Sequence, residues 1–193
     1  MAVVVAITGA SGVVYAKRLL EVLKDLRIEV ALTISNGGEK VISSEMGDFS
    51  KKKFEKLATE VFDAYDVGAP IASGSLAHTR YRAMVIIPCT MATLGAIASG
   101  NTFGLISRAA DVMMKERRPL VIVPRETPLN EIHLENMLKL RRMGVNIIPA
   151  MPAFYNSPKT IDDVVNFVVG RVLDVLEIEN KVFPRYLECQ QEE

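Results

Sequence analysis

Five short apolar runs set the strongest constraint on how this chain can fold. The first run, residues 2–8, is rich in β-branched side chains and is apolar at consecutive rather than alternate positions. A strand that is buried on both faces shows this pattern, and such strands occur in parallel sheets covered by helices on both sides. The other four runs are residues 29–35, 83–88, 119–124 and 145–149.

Helix-like segments separate or follow these runs. They cover residues 13–25, 91–99, 105–115, 130–143 and 161–176, and a shorter one leads toward Glu45. Parallel strands need crossover helices to rejoin the same sheet, so the alternation predicts a doubly wound α/β sheet. The chain has 193 residues, 49% hydrophobic and 24% charged, so we expect a single domain over residues 1–193 with a polar tail from about residue 178.

The composition argues against several kinds of partner. Lys and Arg together number 23, as do Asp and Glu, so no global basic field would attract nucleic acid or an anionic membrane surface. The apolar runs are far shorter than the roughly 20 residues that span a bilayer. Cys89 and Cys189 lie far apart and no signal peptide opens the sequence, which favours a reducing cytoplasm. The histidines, His78 and His133, lack a third ligand at a usable spacing, so we expect no metal site.

The stretch from residue 47 to residue 75 gives the weakest signal. Its lysine run at residues 51–53 is most simply the solvated face of a helix. Residues 72–75 are small or polar and predict a flexible loop. We predict no strand in this stretch.

A run of cations predicts a site for a negatively charged ligand. Residues 108–118 place four cations on or just after a predicted helix, and the next apolar strand ends on Arg125 and Glu126. Burying a cation costs several kcal/mol unless an anion is supplied. Ligands of α/β sheets bind beyond the carboxyl ends of the strands, so phosphate is the natural candidate.

Three hydroxyl-bearing turns follow predicted strands, at Ser11, Ser35 and Thr90. In the turn Gly9–Gly12, backbone N–H groups and the Ser11 hydroxyl can face a phosphate at a helix N-terminus. A purely structural glycine turn fits this pattern about equally well, and Thr90 taken alone is most simply a helix N-cap. Together, however, the three turns would line one edge of a parallel sheet, where α/β ligands bind.

Later segments add further candidates. Apolar positions between residues 132 and 140 predict a helix stripe that packs into the core. Cys89, directly after an apolar strand, is more typical of an inert core thiol than of a nucleophile. Tyr155 lies in a proline-bounded loop and Arg171 on the last predicted helix. A phenol and a guanidinium can bind a phosphate together, although Arg171 alone is typical of an ion-paired surface residue.

In combination, these motifs resemble those of the UbiX-like flavin prenyltransferases over nearly the whole chain. The resemblance rests on Gly9–Gly12, Ser35, Glu45, Ser73–Ser75, Pro88–Leu94, Arg108–Val112, Lys115–Arg118, Pro124–Glu126, Leu134–Leu138, Pro152–Tyr155 and Arg171. It implies a flavodoxin-like (Rossmann-like) three-layer sandwich that assembles as a homododecamer. It also implies transfer of a dimethylallyl group from dimethylallyl phosphate to reduced FMN, which yields prenylated FMN for decarboxylases of the UbiD type.

Carried over by position, the resemblance implies three groups of site residues. FMN would be held by Gly9, Ala10, Ser11, Ser35, Thr90, Met91, Ala92, Thr93 and Arg125. Dimethylallyl phosphate would be bound by Arg108, Lys115, Tyr155 and Arg171. Ser11, Glu45 and Glu126 would be catalytic, the two glutamates by moving protons near the flavin. Because fixed cations can neutralise the departing phosphate, the reaction would need no metal.

Three features depart from the family pattern. Thr90 stands where relatives commonly have Ser. The spacing from Ser73 to Cys89 is longer than we expect for the family, which predicts an enlarged loop at residues 77–82. The chain has no Trp, so an aromatic that some relatives place near the allyl cation is missing.

Two other functions are open at this point. An FMN-dependent decarboxylase of the cysteine type would share the fold, but such enzymes use a His after the first helix and this chain has none before His78. A non-catalytic FMN carrier would not need a second phosphate site, so the presence of Lys115 and Arg171 argues against it.

Overall fold

A computed structural model describes residues 1–48 and 50–186, and within these ranges the strands form one six-stranded sheet. The strands are β1 (Ala2–Ile7), β2 (Val30–Ile34), β3 (Glu60–Asp63), β4 (Tyr81–Cys89), β5 (Leu120–Pro124) and β6 (Asn146–Ile147). Their order in the sheet is β3-β2-β1-β4-β5-β6, and every neighbouring pair is parallel. The doubly wound parallel sheet is therefore confirmed. Cys189 and the end of the polar tail lie outside the described residues.

Helices cover both faces of this sheet. They are α1 (Val13–Asp25), α2 (Asn36–Glu45), α3 (Lys51–Glu55), α4 (Gly74–Ala77), α5 (Met91–Ala98), α6 (Leu105–Lys115), α7 (Glu131–Arg142) and α8 (Ile161–Val175). Successive side chains of β1 point to opposite faces, so Val3 and Val5 pack with α1 and α8, while Val4 and Ala6 pack with α5 and α6. The consecutive apolar pattern of β1 thus supplies two cores, and the predicted three-layer sandwich is confirmed.

The edge strand β3 is absent from the sequence-based prediction. Its residues alternate between half-buried and exposed, and it begins with Glu60 and ends with Asp63, so it lacks the continuous apolar run of the central strands. The lysine run does lie on a helix, α3, as predicted. Residues 72–75 were predicted as a flexible loop, which is wrong: a 3-10 turn at Pro70–Ala72 leads directly into α4.

Helix α7 also differs from expectation. The apolar stripe predicted to pack partly into the core does so at Met137 and Leu140, but its other three residues are exposed: Ile132 is 65% exposed, and Leu134 and Leu138 are about half exposed. Leu140 is the buried residue of this helix within the described chain. Apolar residues at helical spacing show that one face of a helix is apolar, but they do not show whether the same chain or another subunit buries that face. Within the described ranges, no helix is both long and apolar enough to cross a bilayer.

Candidate functional site

The crevice beyond the carboxyl ends of β1 and β4 is the natural ligand site of this sheet, because the two strands connect to opposite faces there. After β1 the chain turns at Gly9–Gly12. A Cβ added at Gly9 would lie 3.0 Å from Gly37 Cα in α2, so the two backbones approach closely because both residues lack a side chain. The turn buries Ala10 and leaves Ser11 exposed beside α2.

Ser35 and Thr90 both cap helices at this edge. Ser35 Oγ accepts a hydrogen bond from the Gly38 backbone N–H at 3.1 Å, and Thr90 Oγ1 accepts one from the Thr93 N–H at 3.0 Å. The N-cap interpretation of Thr90 is confirmed. Thr90 Oγ1 also donates to Thr93 Oγ1 at 2.9 Å, which leaves the Thr93 hydroxyl proton to point elsewhere.

Thr8 ties this turn to β1, and the sequence analysis missed it. Its buried hydroxyl donates to the Pro88 carbonyl at 2.9 Å and accepts the Thr90 backbone N–H at 2.8 Å. One side chain therefore joins segments about 80 residues apart and fixes where α5 begins. A Thr at the end of an apolar strand was the available signal, but its partners depend on the tertiary fold.

A cavity of about 320 Å³ opens between the ends of β2 and β3 and the starts of α5 and α6. It is lined by Ser35, Asn36, Ala64, Tyr65, Ala92, Thr93, Ala96, Phe103, Gly104, Ile106 and Ser107. Asn36 Nδ2 donates to the Tyr65 hydroxyl at 2.8 Å across its wall. Three residues expected at an FMN site, Ser35, Ala92 and Thr93, thus share one cavity. Tyr65, which follows β3, lines the same cavity.

Glu45 ends α2 and reaches back to the N-terminus of α1. Its carboxylate accepts the backbone N–H of Gly12 at 2.9 Å and that of Val13 at 3.1 Å. Helix α1 has no side-chain cap of its own, and a negative charge is favourable at the positive end of a helix. Glu45 is thereby held at the turn that carries Ser11, another of the expected catalytic residues.

Arg125 and Glu126 follow β5 at the same edge. Arg125 is half-buried, and its buried Nε has no hydrogen-bond partner among the described residues. An unpaired buried donor costs about 1–3 kcal/mol, so this guanidinium favours a ligand that accepts a hydrogen bond. Glu126 is exposed, and its carboxylate accepts the Thr127 backbone N–H at 3.1 Å.

Residues 115–118 do not lie at this edge, which corrects the prediction of one cation cluster beyond a strand's carboxyl end. They precede β5, and the Arg118 guanidinium donates to the carbonyl of Tyr81, the first residue of β4, at 3.2 Å. Lys115 Nζ pairs with Glu116 at 2.7 Å, and this hydrogen bond is the main cause that lowers the pKa of the Glu116 carboxyl. Lys115 is therefore at the amino edge of the sheet.

Tyr155 and Arg171 lie with α8 on the opposite face from α6. The Tyr155 ring packs edge-on against Phe167 with centroids 6.1 Å apart. Arg171, one turn further along α8, donates to Asp174 at 3.0 Å. Arg108, in the first turns of α6, pairs with Asp111 at 3.3 Å. Within one chain, the four residues expected to bind dimethylallyl phosphate are thus divided between the two faces of the sheet, with Tyr155 and Arg171 on the face of α8.

Two other candidates are settled by burial and position. Burial raises the pKa of the Cys89 thiol, as expected for an inert core cysteine. His78 contacts Glu116 at 3.1 Å and follows α4, while Tyr81 and Arg82 already belong to β4, so the enlarged loop predicted at residues 77–82 is wrong. Among the described residues, no group of three or more His, Cys, Asp or Glu side chains could hold a metal ion.

Comparison with known proteins places this site in a family. A family model described as Flavoprotein matches residues 1–173. A flavin prenyltransferase UbiX from Methanocaldococcus jannaschii is 54% identical over 186 residues, which cover 96% of this chain and 98% of the relative. The chain belongs to the UbiX flavin prenyltransferase family. The resemblance inferred from the motifs is confirmed.

Two solved structures of UbiX proteins have the same architecture. AnUbiX, solved in complex with FMN and dimethylallyl pyrophosphate, is 44% identical, has a TM-score of 0.91 and covers 95% of each chain. A dodecameric FMN-dependent UbiX-like decarboxylase from Escherichia coli is 45% identical, has a TM-score of 0.92 and covers 96% of this chain and 98% of the other. The flavodoxin-like fold expected for a UbiX chain is therefore confirmed.

Proposed function

We propose that this protein is a flavin prenyltransferase that joins the dimethylallyl group of dimethylallyl phosphate to reduced FMN and needs no metal. The observation that carries the proposal is the hydroxyl-lined crevice with the unpaired Arg125 Nε, in a chain 54% identical to a flavin prenyltransferase. When bound, reduced FMN supplies the nucleophilic N5 and then C6, while phosphate leaves from the allylic carbon.

FMN would be held at the carboxyl edge of the sheet. The donors available there are the Ser11 and Thr93 hydroxyls and the Arg125 guanidinium, and Ala10, Met91 and Ala92 add apolar surface close by. The close contact of Gly9 with Gly37 brings the β1 turn against the start of α2 at this edge. These residues fit a planar ring system with a phosphate-bearing tail, which needs both a slot and directed donors.

Proton transfer would be the task of Glu45, Glu126 and Ser11. The carboxylate of Glu45 is ordered by two backbone N–H groups of the turn that also carries Ser11. A carboxylate in a fixed position can accept a proton from one reacting group and return it to another. Glu126 is exposed beside Arg125, so it lies within reach of a group held by that guanidinium.

The second phosphate site would be completed between copies of the chain. Lys115 lies at the amino edge and Arg125 at the carboxyl edge, so one chain does not bring them together. The exposed apolar face of α7 is the kind of surface that subunits bury, and a 45% identical relative is a dodecamer. A neighbouring copy would then supply part of the group Arg108, Lys115, Tyr155 and Arg171. Fixed cations stabilise the departing phosphate without a metal ion.

The product, prenylated FMN, would pass to a decarboxylase of the UbiD type in the cytoplasm. A non-catalytic FMN carrier is the weaker alternative, because it would need neither Glu45 placed at the flavin crevice nor a second phosphate site. No observation on this chain favours a cysteine-type decarboxylase: Cys89 is buried, and His78 is at the amino edge.

The direct test is anaerobic incubation of the protein with reduced FMN and dimethylallyl phosphate, followed by mass analysis of the released flavin. We expect a flavin heavier by one dimethylallyl unit. Unchanged FMN from a folded, FMN-loaded protein would refute the proposal. Lys115→Ala is the accompanying variant: a transferase should lose turnover and keep FMN, whereas a carrier should lose nothing.

A further inference from the structure

Residues 180–186, here called the C-terminal strap, lie across the outer face of α8. Phe183 anchors the strap: its ring is buried, packs edge-on against Phe167 with centroids 5.2 Å apart, and sits directly over Gly170. A methyl group added at Gly170 would overlap that ring. Because Gly170 has no side chain, it leaves room on α8 for the Phe183 ring of the strap.

Asp174 is the polar anchor of the same segment. Its carboxylate accepts two hydrogen bonds from the Arg185 guanidinium, at 2.7 and 2.8 Å, and one from Asn180 Nδ2 at 3.1 Å. It also accepts the Arg171 Nη1–H at 3.0 Å. The hydrogen bonds from Arg185 are the main cause that lowers the pKa of Asp174. One carboxylate thus holds two guanidiniums side by side.

The strap also contacts Tyr155. The Tyr186 and Tyr155 rings pack edge-on with centroids 5.4 Å apart, and Tyr155 in turn packs on Phe167. The strap therefore touches Tyr155 directly and reaches Arg171 through Asp174. Both of these residues present about half of their side chains to solvent.

Asp174 holds Arg171 without covering it. Arg185 uses both terminal nitrogens on the Asp174 carboxylate. Arg171 contacts it through Nη1 and is half-exposed. A guanidinium held in place before a ligand arrives loses less side-chain entropy on binding.

We propose that the C-terminal strap and Asp174 position Arg171 and Tyr155 as one preformed phosphate-binding unit, which makes Asp174 a positioning residue for dimethylallyl phosphate. The inference rests on the proposed function, because it takes Arg171 and Tyr155 to bind that substrate. It adds that their placement depends on a segment outside the residues expected to bind that substrate.

The test uses the full chain with reduced FMN and varied dimethylallyl phosphate under anaerobic conditions. Asp174→Asn removes the charge of the anchor, and Gly170→Ala displaces Phe183 without touching any charged group. We expect both variants to raise KM for dimethylallyl phosphate about 10-fold, equal to about 1.4 kcal/mol, with kcat little changed. FMN affinity should be unchanged, because the contacts of Asp174 and Phe183 described above stay within α8 and the strap. Asp174→Glu should restore part of the lost affinity.

Glu21→Gln is the matched control. Glu21 pairs with the arginine three residues before it on α1, as Asp174 does on α8, and the two carboxylate side chains are similarly exposed, at 29% and 22%. Its KM should equal that of the parent protein. The proposal is overturned if folded Asp174→Asn and Gly170→Ala bind dimethylallyl phosphate normally, or if they lose FMN equally. Normal KM in Arg171→Ala and Tyr155→Phe would instead refute the assignment of the substrate residues, which is a distinct result.

Discussion

The substitution Thr→Val should change the stability of the fold in opposite directions at two buried threonines. Thr8 and Thr33 are 2% and 0% exposed, and Thr→Val changes each of them by the same atoms. The Thr8 hydroxyl makes two hydrogen bonds, whereas Thr33 Oγ1 has no partner among the described residues. Burial alone therefore predicts equal effects, and hydrogen bonding predicts effects of opposite sign.

The size of each effect follows from which groups lose a partner. In Thr8→Val the Thr90 N–H loses its acceptor, while the Pro88 carbonyl still accepts the Thr8 backbone N–H at 3.2 Å. One buried donor without a partner costs about 1–3 kcal/mol. In Thr33→Val a buried hydroxyl without compensation is removed, which should stabilise the fold by on the order of 1 kcal/mol.

Urea unfolding at one fixed protein concentration measures both free energies. In thermal unfolding, 1 kcal/mol corresponds to a Tm change of roughly 2–4 °C for a domain of this size, so the Tm values of the two variants should differ by several degrees. Thr8→Val should also weaken FMN binding, since Thr8 fixes the start of α5. Equal destabilisation by the two substitutions would refute the reasoning, because it would mean that the hydroxyl partners do not matter.

Arg125→Gln should weaken FMN binding about 10-fold, because an amide cannot replace the guanidinium, whose buried Nε has no partner in the part of the chain that the structure describes. Equilibrium titration with FMN checks this, and an unchanged Kd would contradict it. If the substrate site is shared, mixing unfolded Lys115→Ala and Arg125→Gln chains and refolding them together should restore activity at about a quarter of the sites, whereas no recovery would place both residues in one chain's site. The folded pKa of Asp174 is lowered from 3.8, so the contribution of its charge to stability should be complete above pH 3.8 and be lost as pH falls through the folded pKa. The difference in unfolding free energy between the parent protein and Asp174→Asn should therefore shrink in acid. A difference that grows in acid would contradict this prediction. Gly95→Ala should be tolerated in α5, since the nearest atom to its Cβ is a flexible Asn136 amide at 3.4 Å, while Gly170→Ala should lower the Tm.

The central strands were predictable because each carries a continuous apolar run in its own sequence. β1 supplies two cores from consecutive residues, and no exposed strand would keep that pattern. β3 was missed for the opposite reason, since an edge strand with an exposed face needs only alternate apolar residues and this one is four residues long. The exposed stripe of α7 was misassigned because a helical period is the same for a core and for a subunit interface.

The site was predictable only as far as the residues at strand ends. Ser35, Thr90 and Arg125 follow apolar runs, and parallel topology brings such residues to one edge. The partners of Thr8 and the contact of Glu45 with the α1 turn join segments distant in sequence, and the partners of Asp174 beyond α8 lie 6 and 11 residues further along the chain. No local pattern encodes these contacts. The position of Lys115 was misjudged because helix length, not residue type, decides which edge a helix-borne cation reaches.

The placement of Lys115 and Arg125 at opposite edges also bears on symmetry. A shared site would join the amino edge of one copy to the carboxyl edge of the next, so the two contacting surfaces are unlike. Such contacts are satisfied when two copies pair about a two-fold axis, each offering both surfaces to the other, or when several copies close into a ring. In either arrangement each chain contributes to two active sites, so a chain taken out of the assembly would lose half of two active sites.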